Sequence, residues 1–196
     1  MKQNKLTKGI PVAIILILLV FCITGCSKSA NTSGYWNDAD VKKVCEALIR
    51  DCLSSDGVDQ AKKDLLLTPA VFVGKFKNES SEHMDTSIIT SAMEAAVADD
   101  GRMVLSADSS KKEQLLAELG FQQDNADGNT FVLAFASGAN FLLTGSVTTV
   151  LDRDGNNYVR TYFVTAELIK VPDNQRVWTG KNSDVKKTFV RTESKL

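Results

Sequence analysis

The stretch that most constrains this chain is its start. Ile10–Ile23 is an apolar run with no charged residue in it, preceded by Lys2, Lys5 and Lys8. A helix that crosses a bilayer needs about 20 apolar residues, so a run of about 14 falls short of a comfortable span. Cationic start, short apolar run and small residues after it make the layout of a secretory signal. Everything after Gly25 is then expected to fold outside the cytoplasm.

The ending of the run sharpens this. Ile23-Thr24-Gly25-Cys26 resembles the bacterial lipobox. That resemblance implies cleavage before Cys26, a diacylglycerol on its thiol and acylation of the new amino group. Each buried CH₂ adds about 0.8 kcal/mol, and stable anchoring takes more than one chain. A triacylated Cys26 meets that condition. Ser27 follows, where Asp would signal retention in the inner membrane, so by the Gram-negative sorting rule the lipid is expected in the outer membrane.

The whole chain carries 23 Lys+Arg and 24 Asp+Glu. Cleavage removes three lysines and no acid, which leaves 20 basic against 24 acidic side chains, a net −4. Nothing in that charge suits nucleic acid. Roughly 170 residues remain, enough for one domain with a real core. The organisation expected is a cleaved signal over 1–25, a lipidated tether over 26–34, one α/β domain over 35–185 and a frayed polar tail over 186–196. At about 3.5 Å per residue the tether reaches only about 30 Å.

Of the four cysteines, Cys22 leaves with the signal and Cys26 takes the lipid. Cys45 and Cys52 are seven residues apart, or about 10.5 Å on a continuous helix. A disulfide needs Cα atoms within about 7 Å, so they bridge only if the helix breaks. They read as two buried thiols on an apolar stripe.

Periodicity orders the rest. Asn37 or Asp38 caps a helix whose face is Val41, Val44, Cys45, Leu48 and Cys52. Tyr35 and Trp36, just ahead, either pack back on the domain or lie at the lipid surface. Ser54–Asp59 reads as loop, and Asp64–Leu67 as a helical turn ended by Pro69. Val71-Phe72-Val73 is a strand covered on both faces. Asp85 opens a helix through Ile88, Ile89, Ala92, Met93, Ala96 and Val97 that ends near Gly101. Arg102–Ser106 is a short strand. Ser110 and Glu113 fit a capping box before a helix closed by Gly120. After a loop over Gln122–Asn129, Thr130–Ser137 is a short helix stopped by Gly138. From Phe141 the period becomes two. Asp152–Asn157 and Pro172–Gln175 are turns, so three strands form an antiparallel meander. The expected fold is α/β, with a mixed, largely antiparallel sheet of about four or five strands flanked by helices.

No chemistry-bearing pattern stands out. The only histidine, His83, sits in a polar loop. No nucleophile elbow, phosphate loop or dinucleotide motif occurs. Asp152-Arg153-Asp154-Gly155 lacks the further ligands of a calcium loop and reads as a turn. Gly145 and Gly180, inside strands, mark bulges or close backbone approach. No catalytic, cofactor or metal site is expected, and the contact surface for a partner is left unassigned.

Several segments resemble the LpoB family of outer-membrane lipoprotein activators of penicillin-binding proteins. They are Ser33–Asp38, Ser80–Thr86, Gly138–Phe141 and Val177–Lys181, in one order across about 150 residues of nearly the whole mature chain. The resemblance implies a TolB N-terminal-like α/β domain without catalytic activity. Its implied partner is a class A penicillin-binding protein, a bifunctional peptidoglycan synthase, met at the periplasmic face of the outer membrane. No small-molecule substrate and no cofactor are implied. Trp178, Gly138 and Gly145 then have structural roles, and Thr144 stands where some relatives carry an aromatic residue. The long Pro-rich tether of the best-known members is replaced here by Ser27–Ser33. The same scaffold would also suit an accessory lipoprotein of envelope assembly or secretion.

Overall fold

The first helix shows how sequence sets structure here. Asn37 accepts the Asp40 amide at 3.0 Å, and Asp40 accepts the Asn37 amide at 3.1 Å, a capping box that fixes the start of α1 (Asp38–Leu53). Its buried stripe is Val41, Val44, Cys45, Leu48, Ile49, Cys52 and Leu53. The helix is continuous, so Cys45 and Cys52 stay free, buried thiols.

The computed structural model describes residues 36–63, 65–120 and 129–190. The signal, Cys26, the tether, Tyr35, Asp64, the loop over 122–128 and the tail beyond Val190 lie outside these. The remaining helices are α2 (Asp56–Lys62), α3 (Ser87–Asp100), α4 (Ser109–Glu118) and α5 (Thr130–Ala136). The strands are β1 (Ala70–Val73), β2 (Lys77–Asn78), β3 (Val104–Leu105), β4 (Phe141–Asp154), β5 (Asn157–Lys170), β6 (Gln175–Asn182) and β7 (Lys186–Val190). No helix among the described residues is long and apolar enough to cross a membrane.

The sheet has seven strands on a path β3-β1-β4-β5-β6, with β2 beside β4 and β7 beside β5. β1, β2 and β3 pair in parallel; β4 to β7 pair antiparallel. The expectation of a mixed, largely antiparallel sheet with helices holds, with more strands than the four or five anticipated. The extra ones are β2, too short to show a period, and β7.

β7 corrects the sequence reading. Lys186–Val190 was expected in a frayed tail, yet it pairs with Asn157–Thr161 of β5. Val185, Lys187 and Phe189 alternate inward, but the lysine hides the pattern. Lys187 is only 2% exposed because its ammonium meets Asp40 at 2.5 Å.

Smaller corrections fall at helix starts. Ser54–Asp59 is not loop: Ser55 caps α2, and Asp56 and Asp59 sit in its first turn. Gly57 is tolerated there because a Cβ would lie 2.3 Å from the Val177 carbonyl oxygen of β6. Asp108, not Ser110, caps α4 by accepting the Lys111 amide at 2.9 Å. Thr86 is the cap position of α3, with Asp85 accepting the Ser87 amide at 2.9 Å.

Two cores result. The larger lies between one face of the sheet and α1 and α3, built on Val71, Val73, Phe76, Phe141, Leu143, Val147, Tyr162, Val164 and Leu168. The smaller joins Phe72 and Leu142, on the opposite face, to Leu133 and Ala134 of α5, with Leu115 and Leu116 of α4 packed against it. β1 is thus covered on both sides, as its unbroken apolar run implied. Both strand glycines mark close approach: a Cβ on Gly145 would lie 2.1 Å from Thr165 oxygen and 2.5 Å from the Phe76 ring, and one on Gly180 2.1 Å from the Trp178 ring.

Candidate functional site

The side chains that converge most closely lie at the hairpin end of β4 and β5. Asn78 shapes the loop after β2. Its amide nitrogen donates to the carbonyls of Glu82 at 2.8 Å and Met84 at 3.3 Å, and its oxygen accepts the Ser80 amide at 3.0 Å. That loop turns Glu82 toward β5. There Glu82 accepts the Tyr162 hydroxyl at 2.8 Å and pairs with Arg160 at 2.6 Å. The Arg160 guanidinium lies 4.8 Å from the Phe189 ring centroid of β7, which stacks on Tyr158 at 5.9 Å.

Trp36 closes the group. Its ring meets Tyr162 at 5.1 Å with a 42° tilt, so it packs back on the domain rather than lying at a lipid surface. A cleft of about 490 Å³ remains between Trp36, Glu82, His83, Met84, Arg160 and Tyr162. Burial, with Glu82 beside it, pushes the Tyr162 phenol up to about 12. The phenol is therefore a fixed donor at neutral pH. Next to it, Asp40 carries both the α1 cap and Lys187. Acid, guanidinium, phenol and ammonium answer one another, which is the pattern of a brace.

His83, singled out as the only histidine, is exposed at the rim of this cleft. Cys45 and Cys52 are pushed up to about 12 by burial, so their thiols stay protonated. Among the described residues no three His, Cys, Asp or Glu side chains are grouped to hold a metal. Asp152–Gly155 lies in the β4–β5 hairpin, with Gly155 at φ +60°. Trp178, expected to be structural, is buried and donates its indole N–H to Asp51 of α1 at 3.0 Å. Period two over β5 puts Tyr162 on one face with Val164, Ala166 and Leu168. The same alternation carried back two residues would have placed Arg160 beside it; nothing local marked Glu82 or Asp40 as their partners.

A second surface is the sheet face opposite the larger core. α4 and α5 cover its Phe72–Leu142 end. Thr144, Ser146, Thr148, Phe163, Thr165 and Lys181 continue it at intermediate to full exposure, with the Lys181 ammonium 4.4 Å from the Phe163 centroid.

Fold and site together define a small α/β domain whose charged groups hold the chain's own elements in place and whose other surfaces face outward. The chain belongs to the LpoB family: the family model described as "Peptidoglycan-synthase activator LpoB" matches residues 40–183. Solved structures agree on the fold. The LpoB C-terminal domain from Salmonella enterica matches with a TM-score of 0.56 at 16% identity, covering 78% of this chain and 99% of that one. The same domain from Escherichia coli gives the same values, 0.56, 16%, 78% and 99%. Lipoprotein GNA1162 from Neisseria meningitidis matches with a TM-score of 0.50 at 18% identity, covering 64% and 88%. At these identities the structures speak for the fold alone. No curated protein matches.

Proposed function

We propose that this chain is a lipid-anchored activator of a class A penicillin-binding protein, acting on peptidoglycan synthesis by contact and with no turnover of its own. The observation that carries the reading is the match to the synthase-activator family over residues 40–183. The lipobox-like Ile23–Cys26 supplies the anchor, with residues 1–25 removed and the domain held at the periplasmic face of the outer membrane. The braced cluster around Glu82 is consistent with a role without catalysis, since the Glu82 carboxylate is held by the Tyr162 hydroxyl and the Arg160 guanidinium.

Crosslinking in cells followed by identification of the trapped protein tests this directly. The expected catch is a bifunctional synthase. Recovery of secretion or transport components without any synthase would favour the accessory-lipoprotein alternative instead. A Cys26→Ser variant is expected to lose its acyl chains and leave the membrane fraction; retention there with unchanged acylation would remove the anchor from the account.

A further inference from the structure

Where β4 runs past its neighbours, the sheet has an open edge. Leu143 and Val147 turn their carbonyls away from β5, where they accept the amides of Gly74 at 2.8 Å and Glu79 at 2.9 Å. The β4–β5 register is unbroken from Phe141 to Asp154. Backbone groups alternate along a strand, so Thr149, Leu151 and Arg153 also turn their N–H and C=O groups away from β5. β2 pairs with β4 at Ser146 and Val147. Past that point no strand among the described residues covers Thr148–Asp154 on this side.

This edge lacks the guards that the others carry. Open edges are protected by lysines, prolines, bulges or brevity. β6 has Arg176 and Lys181, with a bulge where it pairs with β5 at Leu168/Ile169. β7 has Lys186 and Lys187. β2 and β3 are two residues each. Thr148-Thr149-Val150-Leu151 has no charge, no proline and no bulge, and its residue types favour strands. Charges begin only at Asp152, beside the turn.

We propose that Thr148–Asp154 is a docking edge for a second copy of this chain, paired antiparallel about a two-fold axis at Leu151. The run is its own complement. About that axis Thr149 faces Arg153, Leu151 faces Leu151 and Arg153 faces Thr149. Every outward group then meets an outward group, giving about six hydrogen bonds between the copies. Neighbouring registers fail. A shift of one residue sets outward groups against residues turned back toward β5. An axis at Val150 puts Arg153 across from Val147 of the second copy, where β2 of that copy already lies. An axis at Asp152 sets two carboxylates face to face. In the centred register Leu151, 51% exposed in one copy, is covered by its twin. One strand per copy buries less than the roughly 1,200 Å² of stable complexes, so the pair is transient. The pairing does not draw on the functional reading, so its failure leaves that reading standing.

The test is oxidative crosslinking in whole cells of full-length variants that each add one cysteine. In the proposed pair the two Leu151 Cα atoms lie about 5.5 Å apart, within disulfide reach. Val150 is 46% exposed but stands across from Asp152, which leaves its two copies roughly 8 Å apart and out of reach. Leu151→Cys is expected to give at least tenfold more disulfide-linked dimer than the parent. Val150→Cys, and Val190→Cys on β7, are expected to stay within twofold of the parent. Thr149→Pro, added to Leu151→Cys, removes an outward N–H and spares the β5 ladder. It is expected to cut the dimer at least fivefold, whereas Thr149→Ala, which keeps the N–H, leaves it unchanged. No dimer from Leu151→Cys, or an adduct with a different protein, overturns the proposal. Equal dimer from Leu151→Cys and Val150→Cys overturns it, and so does a dimer indifferent to Thr149→Pro.

Discussion

The two ends of the β4–β5 ribbon solve opposite problems. At the hairpin end, polar and charged groups are drawn inward and satisfy one another: Glu82 with Tyr162 and Arg160, Asp40 with Lys187 and the α1 cap. At the Phe141 end no such charged set forms among the described residues, and Leu66, Leu67 and Phe135 stand in water, as Leu151 and Val190 do at the hairpin end. Removing one partner from a buried polar set leaves the others unmet, which is costly. Removing an exposed leucine costs the fold almost nothing. The first end therefore behaves as a clamp that holds the start of the domain to its last strand, and the exposed leucines of the second add little to the fold.

Breaking the clamp should give the largest effects. Tyr162 is 1% exposed, so Tyr162→Ala removes a filled core position and the Glu82 donor together. About 3–5 kcal/mol of stability should be lost, read by chemical denaturation. The same tyrosine sets an alkaline limit. Its phenol titrates near 12 in the fold against an ordinary 10, and Cys45 and Cys52 near 12 against 9.0. The folded state holds these protons more tightly, so stability present below pH 9 should drain as pH rises from about 9 to 12. A flat stability profile across that window would contradict the buried placement of all three. Lys187→Ala should follow, at about 3 kcal/mol, because it removes the buried ammonium that meets Asp40. Its spectroscopic signature is specific: Trp36 emission should change, since the capping box that seats it shares Asp40.

The smallest effect on folding sharpens the contrast from the other side. Leu66→Ser with Leu67→Ser should move stability by no more than about 0.5 kcal/mol, as surface substitutions do. A loss of several kcal/mol there would mean the leucines serve the fold, and the distinction between the two ends would fail.

Sequence alone exposed most of the frame and little of the clamp. Apolar spacing located α1, α3, β1 and the long meander strands, because each buries a wide stripe against one neighbour. α2 was read as loop because Gly57 looks like a breaker until the Val177 carbonyl is seen pressing on it. β7 was read as tail because its inward residue is a lysine, and only the Asp40 carboxylate, far away in sequence, makes that lysine an interior group. The Glu82–Arg160–Tyr162 cluster joins residues 80 apart through a turn built by Asn78, a relation no local period can carry. The family segments, by contrast, did mark the right places: Trp36, Glu82 and Trp178 lie in them, and each proves to be a packing or bracing residue.

The central claim is that this domain raises a synthase's activity by touching it. The direct measurement is the rate of glycan polymerisation by a purified class A penicillin-binding protein from the same organism, with and without the lipidated protein in one membrane system. The account predicts a faster rate that saturates with added protein. An unchanged rate at saturating protein, with both components folded and co-embedded, would contradict it.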